Sequence, residues 1–145
     1  MKALGNEQAA YLAGFLDGDG CIASNFERSN AKKSMSYRVR IRISFTQITP
    51  RRAVLDTMRG WIESGVIADY EHNSMSEYVI RDQQAVGDLL QTLLPYLIVK
   101  KRHAELALEI LTLKEQRYSV DSLEQMKERT SVIRSLNRYP KRTAF

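Results

Sequence analysis

The chain has 145 residues, of which 43% are hydrophobic and 27% are charged. These proportions are ordinary for a globular domain and exclude a fibrous or intrinsically disordered protein. The formal net charge is +5, which favours nucleic acid as a partner, although a modest basic excess is also compatible with simple solubility.

The amino-acid sequence has no sign of a membrane or secreted protein. No apolar run approaches the roughly 20 residues that a membrane-spanning helix needs, and the N-terminal MKALGNEQ lacks the apolar core of a signal peptide. We therefore expect an intracellular protein with no membrane partner. The single cysteine, Cys21, excludes an internal disulfide and is expected to be a small structural residue.

The first predicted element is a helix from about Glu7 to Gly18. Small residues recur every four positions along one side of it, at Ala10, Gly14 and Gly18, so a second backbone can approach this side closely. Asp19 follows directly, between two glycines. Because an anion at the C-terminal end of a helix opposes the helix dipole, this placement favours a bound cation over a purely solvent-exposed role.

Two strands are predicted next. The first, residues 21 to 28, is expected to turn Asn25 and Glu27 away from the core. The second has an aliphatic face and a polar face, and the polar face carries Arg38, Arg40, Arg42, Ser44 and Thr46. Because like charges on one face repel unless an anion lies against them, we interpret this face as a nucleic-acid surface. A solvated edge strand is the alternative.

A second helix and a second hairpin follow. The pair Thr49-Pro50 is typical of a helix start and predicts a helix up to Ile62. The hairpin is predicted from about Val66 to His72 and from Ser76 to Arg81. Its outward face is expected to carry Tyr70, His72, Glu77, Val79 and Arg81.

Three helices complete the prediction, with the first capped by Asp82 and ended by Pro95, the second starting at Lys100 and the last covering Val120 to Leu136. The order α-β-β-α-β-β-α-α-α predicts an α+β fold. Its α-β-β-α-β-β-α core would form a curved, antiparallel, four-stranded sheet with helices on one face, followed by extra C-terminal helices. We expect a single domain over residues 1 to 145, with one motif copy at residues 12 to 20.

Residues 12 to 20 read LAGFLDGDG. This stretch resembles the LAGLIDADG motif of homing endonucleases. The identical positions are Leu12, Ala13, Gly14, Asp17, Asp19 and Gly20, and the conservative departures are Phe15, Leu16 and Gly18. The resemblance covers about residues 9 to 115, and the order of elements is similar to the single-motif, homodimeric, intron-encoded branch of that family.

The resemblance implies a site-specific DNA endonuclease, an enzyme that hydrolyses phosphodiesters with Mg²⁺ or another divalent metal such as Mn²⁺. It implies a double-strand break in a long pseudo-palindromic site, leaving four-base 3′ overhangs, and an organelle (chloroplast or mitochondrion) or a prokaryotic cytoplasm as the location. Because one motif copy is present, the partner helix must come from a second molecule, giving a homodimer and a target of about 20 base pairs. The implied dimer-interface residues are Tyr11, Gly14, Phe15 and Gly18.

The resemblance also implies roles for individual residues. Asp19 matches the metal-binding acid, with the Gly18 carbonyl as a further ligand, and we interpret Asp17 as mainly structural. The implied catalytic residues are Asp19, Gln47, Arg51 and Lys100. Gln47 and Arg51 match a segment that orients water, and Lys100 matches a lysine that polarises the site. Lys101 is an alternative to Lys100.

The predicted DNA-binding residues are Asn25, Glu27, Arg38, Arg40, Arg42, Ser44, Thr46, Tyr70, His72, Glu77, Val79 and Arg81. A two-stranded ribbon fits the major groove, where arginine can pair with guanine. The C-terminal basic run from Arg134 to Arg142 suits phosphate contacts or a solubilising tail. Two alternatives stay open: an intron RNA maturase, with or without cleavage, and a basic protein that binds nucleic acid without sequence preference.

Overall fold

A computed structural model describes residues 3–28, 37–116 and 119–138. The helices and strands, in chain order, are α1 (Asn6–Asp19), β1 (Gly20–Arg28), β2 (Tyr37–Ile48), α2 (Ala53–Ile62), β3 (Val66–Tyr70), β4 (Met75–Ile80), α3 (Gln83–Leu93), α4 (Lys101–Glu115) and α5 (Val120–Asn137). Single-turn 3-10 helices at Thr49–Arg51 and Leu94–Tyr96 each contain a proline. The predicted order of elements and the α+β class are confirmed. Lys141 and Arg142 of the predicted basic run lie outside the described residues.

The four strands form one antiparallel sheet in the order β1-β2-β4-β3. The aliphatic face of β2 is completely buried under the helices, as the alternation predicts; its members are Val39, Ile41, Ile43 and Phe45. Leu12 and Leu16 of α1 and Leu89 and Leu90 of α3 belong to the same core. The opposite sheet face therefore points away from the helices.

The sheet has two strands at one end, where only β1 and β2 pair, and more strands at the other end, where β4 and β3 join them. β2 pairs with β1 from Tyr37 to Phe45, whereas its pairing with β4 begins only at Ile43. Where β4 is missing, the side chain of Gln83 takes its place: its Oε1 accepts from the Ile41 N–H at 3.0 Å, and its Nε2 donates to the Ile41 carbonyl at 2.8 Å. An amide side chain thus satisfies the backbone of a strand edge.

Helix α1 continues into β1 without a loop, because α1 ends at Asp19 and β1 begins at Gly20. A Cβ at Gly20 would lie 2.5 Å from Leu16 Cδ1 and 2.8 Å from Leu16 Cα, so only glycine fits at this junction. The close approach fixes Asp19 between the end of a core helix and the start of a sheet strand.

The second hairpin differs from its prediction in the bounds of both strands, since β4 spans Met75–Ile80 instead of Ser76 to Arg81. β3 ends at Tyr70 instead of His72, and residues 71 to 74 form the turn. Asn73 Oδ1 accepts from the Met75 N–H at 3.1 Å and Ser74 has φ +54°, so local side-chain and left-handed backbone geometry close the turn before the ladder resumes. Within the described parts of the chain, no helix has the length and hydropathy to cross a membrane.

Candidate active site and nucleic-acid interface

One side of α1 is exposed although the helix belongs to the core. Its buried side carries Ala9, Leu12, Ala13 and Leu16. The other side carries Tyr11, which is 48% exposed, together with Gly14, Phe15 and Gly18. A Cβ added at Gly14 or Gly18 would meet no atom within 4 Å. We call these four residues the glycine seam; their spacing of three and four positions places them in one line along the helix.

An open groove of 480 Å³ lies at the C-terminal end of α1. The groove brings together the end of α1, the start of β1, the middle of the sheet, the start of α4 and the end of α5. Its lining residues are Gly18, Asp19, Gly20, Cys21, Arg42, Ser44, Thr46, Glu77, Val99, Lys100, His103, Leu136, Asn137 and Arg138. Two of the predicted catalytic residues, Asp19 and Lys100, therefore share one concave site although they are far apart in the sequence.

Asp19 is exposed at the edge of this groove. Its main-chain carbonyl accepts from Thr46 Oγ1 at 3.0 Å, while its carboxylate makes no hydrogen bond or ion pair with the described residues. Among all residues that the structure describes, no three His, Cys, Asp or Glu side chains are grouped so that they could hold a metal ion. The groove thus offers one available carboxylate, which is a partial ligand set for a cation that takes six oxygens.

Asp17, in contrast, is fully engaged. Its Oδ2 accepts from the Ile98 N–H and its Oδ1 from the Lys100 N–H, both at 2.9 Å. Burial raises the pKa of Asp17, but the backbone donors of Ile98, Lys100 and Val99 and the charge of Lys100 lower it further, so the net pKa lies below the ordinary value of 3.8. These contacts favour the structural role predicted for Asp17, which joins the end of α1 to the start of α4.

The Lys100 ammonium donates to the Asp17 carbonyl at 2.8 Å, one of the carbonyls left over at the end of α1. This contact places a positive charge where the helix dipole is negative, at the end of α1 that Asp19 terminates. Lys101 is exposed and does not line the groove. The geometry therefore favours Lys100 over its neighbour as the lysine of this site.

The Asp17 contacts predict a pH-dependent contribution to stability. A folded-state pKa below the unfolded value stabilises the protein above that value, and the contribution is lost as pH falls through the folded pKa. We expect Asp17→Asn to lower the free energy of unfolding at neutral pH, because the two backbone donors lose a charged acceptor. The expected loss is about 1 kcal/mol, since partial exposure of the carboxylate to solvent weakens these contacts. Urea unfolding of both proteins from about pH 7 to about pH 3 should show the difference shrinking in acid. A difference that is constant with pH would contradict this account.

Gln47 and Arg51 do not line the groove. The Gln47 Oε1 accepts from the Ile48 N–H at 3.0 Å, and alternation along β2 places this side chain on the same side as Phe45, facing the helices. Arg51 is exposed in the 3-10 turn that follows. The structure therefore does not bring these two predicted catalytic residues into the groove with Asp19 and Lys100.

The predicted DNA-binding residues of the strands lie on one side of the sheet, which we call the polar sheet face. Its cross-strand pairs include Asn25 with Arg40, Glu27 with Arg38, Ser44 with Val79 and Thr46 with Glu77. Ser44 and Val79 are only 2% and 4% exposed, because Val79 lies between Ser44 and Val66 of the flanking strands. These two residues have little surface for a ligand, and His72 lies in the exposed turn instead of on a strand.

The arginines of the polar sheet face are partly balanced by acids of the same sheet. Arg42 Nη2 lies 3.6 Å from Glu77 Oε2, and Glu77 Oε1 accepts from the Tyr70 hydroxyl at 3.4 Å. Repulsion among the arginines is thus weaker than the β2 pattern alone indicates. Arg42 Nε is nevertheless buried with no hydrogen-bond partner among the described residues, which is uncommon for a buried donor.

Sequence reasoning assigned no role to His103, which lines the groove and is 7% exposed. Burial and the charge of Lys100 lower its pKa, in spite of opposing contacts with Asn137 and Leu136 and the charge of Asp17, so the imidazole is neutral at pH 7. The signal for its position is its spacing: His103 follows Lys100, the N-cap of α4, by three residues, so the two residues lie on the same side of the helix start. Asn137, which donates to the Ile22 carbonyl at 2.8 Å, connects the end of α5 to β1 nearby.

A family model described as LAGLIDADG endonuclease matches residues 12–109, which is more than half of the chain. The chain belongs to this family. The LAGLIDADG endonuclease match includes Asp19, Gln47, Arg51 and Lys100, and it confirms the membership that the nonapeptide of α1 suggests.

Two curated relatives support the same membership. DNA endonuclease I-CreI of Chlamydomonas reinhardtii is 33% identical over 101 residues, which cover 70% of this chain and 60% of that protein. DNA endonuclease I-CvuI of Chlorella vulgaris is 32% identical over 102 residues, which cover 70% of this chain and 62% of that protein. This LAGLIDADG endonuclease chain thus spans less than two thirds of the length of either relative.

The fold is also similar to that of a solved LAGLIDADG protein. The crystal structure of the homing endonuclease I-CvuI in complex with its target, in the presence of 2 mM Ca, has a TM-score of 0.82 and 27% identity and covers 96% of this chain and 87% of that chain. I-CvuI with the I-CreI target in the presence of 2 mM Mg, with the DNA not cleaved, has a TM-score of 0.81. The predicted α+β fold, with an antiparallel four-stranded sheet, therefore matches the fold of these structures.

Proposed function

We propose that this protein is a site-specific DNA endonuclease that acts as a homodimer and makes a metal-dependent double-strand break in a pseudo-palindromic site. The observation that carries the proposal is the groove that Asp19 and Lys100 both line beside an arginine-bearing sheet face. The resemblance adds four-base 3′ overhangs as the expected product and an organelle or a prokaryotic cytoplasm as the expected place of action.

The glycine seam supports the homodimer. An exposed helix side that lacks side chains at two positions allows a second copy of α1 to lie against it, with the same surface used by both subunits. Tyr11 packs edge-on against Trp61 with ring centroids 5.9 Å apart, so an aromatic pair borders the seam. A two-fold axis through the seam would place the two Asp19 carboxylates near each other, at the adjacent ends of the two helices.

A divalent cation is the proposed cofactor, Mg²⁺ by preference and Mn²⁺ as an alternative. When bound, such an ion stabilises negative charge on a phosphate and lowers the pKa of an attached water. Asp19 would hold it, with the Gly18 carbonyl and the second subunit's Asp19 as further ligands, because the Asp17 carboxylate is already occupied by backbone donors. The donor set is all oxygen, which is what Mg²⁺ prefers. The I-CvuI structures obtained with Ca or Mg support the same cofactor class.

The chain's cations would position the DNA. Lys100, Arg42 and Arg138 line the groove together with Asp19, so phosphate oxygens entering it would meet ammonium and guanidinium donors. Outside the groove, the proposed base-reading surface consists of Asn25, Glu27, Arg38, Arg40 and Tyr70 of the polar sheet face together with His72 in the turn and Arg81 after β4. Gln47 and Arg51 are proposed to act from the side of the seam, where a second subunit completes the site.

Lys100 and Lys101 provide a matched pair of variants. We expect Lys100→Met to lower the single-turnover cleavage rate by about a hundredfold, because the charge next to Asp19 is lost. Lys101→Met should change the rate by less than about threefold, since that side chain is exposed away from the groove. Quench-flow or gel assays at saturating DNA would measure both rates. Equal losses in the two variants would contradict the assignment of Lys100.

The test of the proposed function is selection of cleaved duplexes from a randomised pseudo-palindromic DNA library in the presence of Mg²⁺. Discrete cut sites with paired nicks offset across the minor groove are the expected result, and EDTA should abolish them. Binding of structured intron RNA in preference to duplex DNA, with no cutting, would instead favour the maturase alternative. A steep salt dependence with no sequence preference would favour a non-specific nucleic-acid-binding protein.

A further inference from the structure

The 3-10 turn Thr49–Arg51 connects β2 to α2 and carries Arg51, one of the residues proposed to act on DNA. An exposed arginine on a short turn has many conformations, and its usefulness in a reaction depends on how rigidly its backbone is held. The backbone and side chains at the two ends of this turn form hydrogen bonds with the β3–β4 hairpin.

Asp69 of β3 is at the centre of these contacts. Its Oδ2 accepts from Arg52 Nη1 at 2.6 Å and its Oδ1 accepts from Ser76 Oγ, also at 2.6 Å. Ser76 is completely buried, and its Oγ lies 3.0 Å from Thr49 Oγ1. A continuous chain of polar contacts therefore leads from Arg52 through Asp69 and Ser76 back to Thr49, so that both ends of the turn are attached to one carboxylate.

A backbone contact strengthens the attachment. The Thr49 N–H donates to the Ser74 carbonyl at 2.8 Å, and Ser74 is the left-handed residue that closes the β3–β4 turn. Arg52 also contacts Asp56 Oδ1 at 3.3 Å, one turn further along α2. The bonds from the Arg52 guanidinium to the Asp69 and Asp56 carboxylates are charge-assisted, and such bonds are stronger than bonds between neutral groups.

We infer that Asp69 is a positioning residue, which fixes the Thr49–Arg52 segment to the β3–β4 hairpin and thereby orients the Arg51 side chain toward the bound DNA. We call the four side chains Thr49, Arg52, Asp69 and Ser76 the turn latch. The inference rests on the proposed function for the role of Arg51, whereas the attachment of the turn rests on the contacts alone. None of the four latch residues lines the groove, so the latch would act through Arg51 and not by touching the reacting atoms.

The Asp69 carboxylate of the turn latch is ionised at neutral pH. The Ser76 hydroxyl and the Arg52 guanidinium lower the pKa of Asp69 against the opposing effect of desolvation, so its carboxylate stays charged at neutral pH. The positioning effect should consequently be constant through the neutral range.

The primary variant is Asp69→Asn, which keeps the side-chain shape and removes the charge. A matched control is Glu109→Gln, because Glu109 forms an ion pair of 2.9 Å with Arg129 on α4 and α5, and its side chain is 46% exposed against 42% for Asp69. Ser76→Ala, which breaks the chain of contacts from inside the sheet, is the second variant. Melting temperatures identify any variant that fails to fold.

The first measurement is hydrogen–deuterium exchange of the Thr49 amide in the full chain, which requires no DNA. We expect exchange to be faster by about tenfold in Asp69→Asn and in Ser76→Ala, and unchanged in Glu109→Gln. Unchanged exchange at Thr49 in both latch variants would overturn the inference, because the turn would then be held without Asp69.

The second measurement is a double-mutant cycle with Arg51→Ala, read as single-turnover cleavage rate and as DNA affinity. Asp69→Asn should lower the rate by about tenfold with DNA affinity within about twofold, and should cost almost nothing further when Arg51 is already Ala. An equal loss in both backgrounds would overturn the inference, since Asp69 would not be acting through Arg51. A parent protein that cuts no DNA would refute the proposed function, and the Thr49 exchange would then decide the inference by itself.

Discussion

The variant Asp19→Asn is expected to lose DNA cleavage by at least about a thousandfold while it keeps DNA affinity within about threefold. Asn has the shape of Asp without its charge, so the groove loses the carboxylate that has no partner among the described residues. The other groove carboxylate, Glu77, is engaged by Arg42 and Tyr70 and is a poor substitute. In a homodimer the substitution removes both copies of the proposed metal ligand at once.

The measurement is a cleavage time course on a selected site, with Mg²⁺ titrated, together with a binding assay in Ca²⁺. Asp121→Asn is a suitable control because Asp121 is an exposed acid in the first turn of α5 and does not line the groove. Cleavage by Asp19→Asn at the parent's rate would contradict the proposed site. Loss of DNA binding by the same factor as cleavage would show that Asp19 acts in affinity and not in the chemical step.

The double variant Gly14→Leu with Gly18→Leu should convert the proposed dimer to a monomer. A Cβ added at either position would meet no atom within 4 Å, and both positions are exposed, so we expect the monomer fold to tolerate both changes. Between two closely packed helices, each added side chain costs about 1–3 kcal/mol, and each occurs twice in a symmetric dimer. The dimer dissociation constant should rise by at least about a hundredfold.

Sedimentation equilibrium of the parent and the variant measures this change directly. The control is Gly60→Leu, since Gly60 is also an exposed helical glycine with no atom within 4 Å of an added Cβ, but lies on the outer side of α2 with Ala53 and Asp56. A variant that stays dimeric would exclude the glycine seam as the interface. A variant that unfolds, while Gly60→Leu does not, would instead assign the seam a role inside the subunit.

Local patterns predicted the parts of this molecule that depend on local physics. The alternation in β2 identified its buried and polar faces, because a strand turns successive side chains to opposite sides. The same reasoning could not give the burial of Ser44 and Val79, which depends on which residues the neighbouring strands place beside them. Cross-strand register is a property of the folded sheet and not of either strand alone.

The candidate site was predictable to a similar extent. The nonapeptide identified Asp19, and the resemblance identified Lys100, yet the hydrogen bonds that join Asp17 to Ile98 and Lys100 connect residues 81 and 83 positions apart. No local pattern contains that information. The turn latch is another case, since Asp69 reads as an ordinary strand-end acid until the hairpin is folded against the Thr49 turn.

The unequal width of the sheet has a consequence for how a DNA target can change over time. The N-terminal part of β2, from Tyr37 to Arg42, pairs with β1 but not with β4, and the Gln83 amide bonds to its free edge at Ile41. The two-stranded ribbon that carries Asn25, Glu27 and Arg38 is therefore held by one ladder of backbone hydrogen bonds. A thinner ribbon bends more easily than the four-stranded part beside the groove. Under the proposed function, we expect base pairs that contact this ribbon to be read less stringently than those near the site of cutting, so that a target with substitutions at the outer positions of each half-site would still be recognised.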